Sequence, residues 1–294
     1  MKLLTYQYSG KEAVGVLAGA GDVVLPITAF GLKYDSMNEL IRCATEEEFA
    51  KLRTAASAPP VGGIPYEAVV KTAPIPEPQQ DVICLGYNYL DHVSESAAIQ
   101  EAALSGAPEH PIYFSKRVNR AVADGGQIQS HPALDEQLDY EAELAIIIGR
   151  DAKNVSKEQA ADYIFGYTIL NDISARTLQM RHKQFYFGKS LDGSTLMGPW
   201  IVTADEVDFP PKLALQSFVN GALRQNSNTE YMLFSIAHII AELSAGMTLK
   251  AGTIIATGTP AGVGAALDPP QFLKAGDAVE CVIEGIGRLR NTVK

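Results

Sequence analysis

The sequence predicts an α+β, mostly β fold, and three observations lead there. Short apolar stretches separated by Gly, Pro and Ser-Gly turns recur along the chain, long helical stripes are few, and strands do not alternate with helices in the regular order that builds βαβ units. At 294 residues the chain suits one large domain or a large and a small one, with a core big enough that no disulfide or structural metal is needed to hold it. Its 24 Lys and Arg against 34 Asp and Glu leave a net charge of −10. That balance argues against a general binder of nucleic acid or anionic membrane, either of which needs a basic surface to meet phosphates. Cys43, Cys84 and Cys281 have no CxxC spacing and an odd total, so they read as small buried thiols of a reducing compartment. No apolar run reaches the roughly 18 residues that span a bilayer, and MKLLTYQYSGKEAVGV lacks a signal core. A cytoplasmic protein with no membrane or nucleic-acid partner is therefore expected.

From the amino terminus, SGKEAVGVLAGAGDVVLPI reads as strands and turns, followed by one acidic helix around Ser36 to Ala55. The Pro- and Gly-rich run SAPPVGGIPYEAVVKTAPIPEPQQ marks a boundary, giving a small N-terminal domain of residues 1–77 and a larger domain of residues 78–294. In the larger part DVICLGYNY is a strand entering a loop, and HVSESAAIQEAALSG is a short helix ending near Gly106. YEAELAIIIG ends in strand formers, and SKEQAADYIFGY opens with Ser156 and Gln159 at capping-box spacing. FYFGKSLDG runs from an aromatic, strand-like segment into a turn. NTEYMLFSIAHIIAELSAG carries the clearest helical stripe, Met232, Leu233, Ile236, Ile240 and Leu243, with Asn228 or Thr229 as its cap and Gly246 as its stop. GDAVECVIEGIGRLRNTV returns to strand alternation.

The most informative local pattern is DYEAELAIIIGR. A strand's period of two sends Glu141 and Glu143 to one face, their backbones about 6–7 Å apart. Two acids on one face repel, and a divalent cation with a taste for hard oxygen would relieve the repulsion; an ordinary solvated pair fits the spacing too. Asp172 follows the apolar YIFGYTIL and stands at the mouth of a strand, where it either joins the two glutamates or caps a turn. His110, His131, His182 and His238 lack partners at metal-ligand spacing and read as surface or packing residues.

Elsewhere, His92 and Glu95 lie three residues apart, so a helix puts them on one face, where the carboxylate orients the imidazole as a base or the two form an exposed pair. Lys189 in GKSLDG supplies a positive charge for a substrate carboxylate or an oxyanion; the GKS lacks the lead of a phosphate loop. Arg176 and Gln179 follow Asp172 by four and seven residues and offer donors on the same side of a turn or helix, or face solvent. TGTPAGVGAAL packs small residues that allow a tight path with exposed amides, useful for anions, and it holds Thr259 beside a possible turn at Pro260.

Taken together, GYNYLDHVSE, DYEAELAIIIGR, GYTILNDISAR, GKSLDG, MGPW, NGALRQNSNT, TGTPAGVG and FLKAGDAVE with IEGIGRLRN resemble the fumarylacetoacetate hydrolase family, in order from about Val82 to Val293. The resemblance implies a catalytic domain built on a distorted mixed β-roll, a small N-terminal domain and a homodimer. It implies Glu141, Glu143 and Asp172 as ligands of Mg²⁺, with Mn²⁺ as the alternative occupant. It also implies His92 and Glu95 as a water-activating pair on a segment that orders over substrate, Lys189 as the pocket cation, and Arg176, Gln179 and Thr259 as substrate-binding residues, Thr259 from a loop that closes another side of the pocket. The activity implied is hydrolysis of a C–C bond in an acylpyruvate or related β-diketo acid to pyruvate and a carboxylic acid, as in aromatic-compound catabolism. Two alternatives are an oxaloacetate tautomerase or decarboxylase working through an enolate, and a non-catalytic keto-acid-binding protein. DGSTLMGPW and LSAG depart from the commoner family pattern, and Ser96 to His110 is longer than in compact members; these departures bear on substrate choice and on the shape of the lid.

Overall fold

A computed structural model describes residues 1–19, 21–57, 62–99 and 107–294. Among them are eighteen strands and six α-helices, none of the helices longer than the 12-residue α2. In chain order the first part holds β1 (Lys2–Tyr8), β2 (Lys11–Ala18), β3 (Val23–Pro26), α1 (Met37–Cys43), α2 (Glu46–Ser57), β4 (Ile64–Pro65) and β5 (Val70–Lys71). The rest holds β6 (Val82–Gly86), α3 (Leu90–Ile99), β7 (Ile112–Lys116), β8 (Gln127–Ile128), β9 (Leu138–Asp139), β10 (Ala142–Ile148), β11 (Ile164–Asp172), β12 (Ser174–Ala175), α4 (Arg176–Arg181), α5 (Tyr186–Lys189), β13 (Thr195–Thr203), β14 (Ala214–Val219), β15 (Ala222–Asn228), α6 (Ile236–Gly246), β16 (Ile254–Ala256), β17 (Ala278–Ile283) and β18 (Gly287–Val293). The mostly β class is as the sequence predicts.

Eleven strands form one mixed sheet in the order β4-β3-β2-β1-β13-β11-β10-β16-β6-β7, with β5 also on β1. A second sheet runs β15-β14-β17-β18-β8. The centre is β10, whose residues are buried on both faces because the chain's period of two feeds two cores. Leu144, Ile146 and Ile148 pack with Leu215, Val279, Ile283 and Leu289 of the second sheet. Ala145 and Ile147 turn the other way, toward Leu3, Val16, Leu25 and the helical residues Met37, Leu40 and Leu52. Burying each such large aliphatic side chain stabilises the fold by about 1.5–3 kcal/mol. The N-terminal strands continue the same sheet across the boundary expected at residue 77, since β1 pairs with β13.

Four local expectations are corrected. The single acidic helix is two, because Ala44 is extended and Thr45 exchanges side-chain and backbone hydrogen bonds with Glu48 to start α2 afresh. The helix expected from Asn228 begins at Ser235, whose hydroxyl accepts from the His238 amide. Asn228 instead caps a short 3₁₀ turn over Thr229–Tyr231, and Asn88 keeps the intervening chain out of the helix by pairing with Leu233 and Phe234. The aromatic run before Lys189 is the short helix α5 rather than a strand. Of the three thiols, Cys43 is exposed; only Cys84 and Cys281 are buried. The expected helix end near Gly106 falls outside the described residues, as do residues 100–106 of the long Ser96–His110 segment.

Candidate active site

Strand ends create the site. The last residues of β6, β11 and β16 and the first of β10 and β13 meet at one end of the main sheet, since β10 is antiparallel to β11 and β16, and β16 is parallel to β6. Glu141 enters β10, Glu143 follows on the face of Ala145 and Ile147, and Asp172 closes β11 with its amide donating to the Glu141 carbonyl. The three carboxylates are buried and offer oxygens all within 4.8 Å of one another.

Charge around the triad is nearly balanced. Lys189 Nζ lies 2.6 Å from Glu141 Oε2 and 2.9 Å from Asp172 Oδ2, and Lys116 Nζ lies 2.7 Å from Asp172 Oδ1. Arg176 Nη1 reaches Glu141 Oε1 at 2.7 Å, while its Nε and Nη2 grip Asp139. Four buried acids, Asp139, Glu141, Glu143 and Asp172, thus face three cations, leaving one carboxyl without a counter-ion. That carboxyl is Glu143, which forms no ion pair among the described residues and accepts the Gly258 amide at 2.8 Å. Burial, Asp172 and Glu141 together push the Glu143 carboxyl well above the usual range. Burial also acts against the charge on Glu141, but Lys189 and Arg176 outweigh it and hold that carboxyl at about 2. Lys189 is likewise disfavoured by burial and more than rescued by Asp172 and Glu141, which keep it protonated. An all-oxygen donor set with one buried carboxyl that lacks a counter-ion fits a hard divalent cation.

A second cluster faces the same cavity. On α3 the His92 Nδ1 and Glu95 Oε1 are 2.7 Å apart, and the other Glu95 oxygen accepts from the Gly262 amide. With Glu95 accepting a hydrogen bond from Nδ1–H, Nε2 is left as the basic nitrogen. Tyr87 stacks on the His92 ring at 5.7 Å, and Phe185 meets both Tyr87 and Phe114 edge-on. The cavity, about 250 Å³, is lined by His92, Glu141, Arg176, Gln179, Lys189 and Thr259 and walled by Phe114, Phe185 and Phe272.

The small-residue loop does bind anions, but they are the chain's own. Amides of Gly258, Gly262 and Gly264 donate to Glu143, Glu95 and Asp139 in turn. Gly262 has φ +106°, and a side chain there would stand 2.1 Å from the Arg224 carbonyl, so only glycine allows this approach. The Thr259 hydroxyl is spent internally: it donates to Ala142 O and accepts from Gln225. All nine residues singled out from the sequence therefore converge. Missed were Lys116, Asp139, Asn88 and Gln225, all buried. Asp139 opens DYEAEL and was legible as a third acid in that run; the other three carried no local signal.

The family model for the fumarylacetoacetate (FAA) hydrolase C-terminal region matches residues 81–294. This chain belongs to the fumarylacetoacetate hydrolase family. Within that family it is 48% identical over 221 residues, 75% of this chain and 72% of the relative, to oxaloacetate tautomerase YisK of Bacillus subtilis. A fumarylacetoacetate hydrolase from psychrophilic Exiguobacterium antarcticum matches its fold with a TM-score of 0.85 at 40% identity, over 100% of this chain and 99% of that one. Maleylpyruvate hydrolase from Sphingobium sp. SYK-6, in complex with manganese(II) ion and pyruvate, matches with a TM-score of 0.77 at 31% identity, over 100% and 98% of the two chains.

Proposed function

We propose that this chain is a divalent-metal-dependent enzyme of small 2-keto acids, and that its reaction is keto–enol tautomerisation of oxaloacetate or a close analogue. The observation that carries the reading is the buried Glu141–Glu143–Asp172 triad and the His92–Glu95 pair, which meet one cavity through Glu141 and His92. The likeness to an oxaloacetate tautomerase supports putting enolisation ahead of the C–C hydrolysis that the sequence placed first.

Glu141, Glu143 and Asp172 would hold Mg²⁺, or Mn²⁺, and such a cation when bound is a Lewis acid that favours negative charge on a keto oxygen. Arg176 and Gln179 would secure the substrate carboxylate. Lys189 supplies a fixed positive charge near the oxygen that becomes anionic. Thr259 holds its loop against β10 rather than offering its hydroxyl. His92 Nε2 takes a proton from the carbon between the two carbonyls, and Glu95 stabilises the imidazolium. The C–H pair becomes the C=C bond, the carbonyl π pair moves to oxygen, and the proton held by His92 passes to that oxygen to complete the enol, so no atom is lost or gained.

Hydrolysis remains the second reading, supported by the maleylpyruvate hydrolase neighbour and by a pair equally able to take a proton from water. Water oxygen would bond to the carbonyl distal to the pyruvate end, and the C–C pair would pass to the pyruvate fragment, which takes the proton held by His92. A cytoplasmic homodimer completes the proposal. The test is purified protein with Mg²⁺ or Mn²⁺, given oxaloacetate or acylpyruvates, with enol content and product masses recorded together. Accelerated enol exchange without mass change is expected. Pyruvate plus a new acid supports the second reading, carbon dioxide supports decarboxylation, and binding without conversion leaves a keto-acid-binding protein.

A further inference from the structure

We propose that Asp139 is the positioning residue that fixes Arg176 and the glycine loop together, so that the arm for the substrate carboxylate is held in one orientation. This rests on the function proposed above. Asp139 is fully buried and accepts five hydrogen bonds. Three come from the amides of Tyr140, Gly264 and Ala265, and two from Arg176 Nε at 2.9 Å and Nη2 at 2.8 Å. Every partner is an N–H donor, so an amide side chain at 139 would set donor against donor; only a carboxylate satisfies the site.

Arg176 opens α4, and its remaining Nη1 is shared between Glu141 at 2.7 Å and Gln179 Oε1 at 3.0 Å. A guanidinium gripped along one edge cannot turn about its last bond, and its Nη1 edge stays aimed at two residues of the cavity wall. Without the charge of Asp139, Glu141 is the remaining anionic partner of Arg176 among the described residues. The guanidinium then collapses onto Glu141 and loses its fixed direction. The loop that Asp139 anchors at Gly264 and Ala265 holds Glu95 at Gly262, two residues upstream. One buried charge thus references both the anion-binding arm and the partner of the base.

The test is a double-mutant cycle with D139N, R176K and the combined variant, read by calorimetric titration of oxalate, an unreactive dianion, into Mn²⁺-loaded protein. Wild type is expected to bind one oxalate per chain. D139N should weaken oxalate at least tenfold while changing Mn²⁺ affinity, measured without oxalate, less than threefold, and D139N added to R176K should cost less than a further threefold. Asp139→Ser, which removes the charge from a smaller side chain, is held to the same criteria in case D139N does not fold. Unaltered oxalate binding in either variant, or a loss that adds in full to that of R176K, overturns the inference alone. Wild-type protein that binds neither Mn²⁺ nor oxalate overturns the proposed function, and this inference with it.

Discussion

Glu143 shows how single residues divide the work. Its carboxyl is raised by burial, so the folded metal-free protein binds a proton more tightly than the unfolded chain. Stability from this residue is fully present below its unfolded value near 4.5 and is lost as pH rises from there toward the raised folded value. Glu143→Gln should therefore stabilise the metal-free protein progressively more between about pH 5 and 8, by about 2–4 °C in melting temperature for each kcal/mol relieved. A thermal scan across that range checks it, and an E143Q protein no more stable than wild type at pH 8 contradicts it. His92 is different in kind, since its ring pairs with Glu95 rather than with the carboxylate triad. His92→Gln should reduce turnover about 10²- to 10⁴-fold while leaving Mn²⁺ affinity within threefold, as read by parallel rate and titration measurements. Lys116 serves the fold, because it is buried against Asp172 and also donates to the carbonyls of Ile173 and Lys189. Lys116→Met removes one partner of a buried pair and should cost about 3–5 kcal/mol in denaturant unfolding.

Among elements, the connection from β6 into α3 depends on a side chain that lies far away in sequence. Asn88 donates to Thr257 O and Phe234 O and accepts from the Phe234 amide, tying the approach to His92 to the entry of α6 and the end of β16. Asn88→Ala leaves these buried backbone groups unpaired at about 1–3 kcal/mol each, and hydrogen exchange should quicken in α3 and at Leu233–Phe234 while β10 stays protected. The same contacts explain what the sequence left hidden. Strand β10, the Glu141–Glu143 spacing and the stop at Gly246 were legible because each follows from a local period or a local residue type. The start of α6 was not, because Asn88, 146 residues away, pulls Leu233 and Phe234 out of a stripe that is helical on its own terms. Lys116 and Gln225 were illegible for the same reason: each meets its partner only after the sheet is assembled.

Across the whole molecule, a sheet shared by both parts of the chain carries the site at one end. Since β1 pairs with β13 and the apolar residues of β1–β3, α1 and α2 cover one face of β10, the segments on either side of residue 77 should not be stable apart. Residues 78–294 expressed alone are expected to aggregate, and a fragment that unfolds cooperatively in solution would show that two independent domains exist. No helix among the described residues is long and apolar enough to cross a membrane. The claim beneath all the chemistry is that Glu141, Glu143 and Asp172 gather one hard divalent cation. It is tested most directly by titrating Mn²⁺ into metal-free wild-type and Asp172→Asn protein and following the free ion by electron paramagnetic resonance. The account predicts one tight site per chain in wild type, weakened at least a hundredfold in D172N; equal affinity in the two proteins would contradict it.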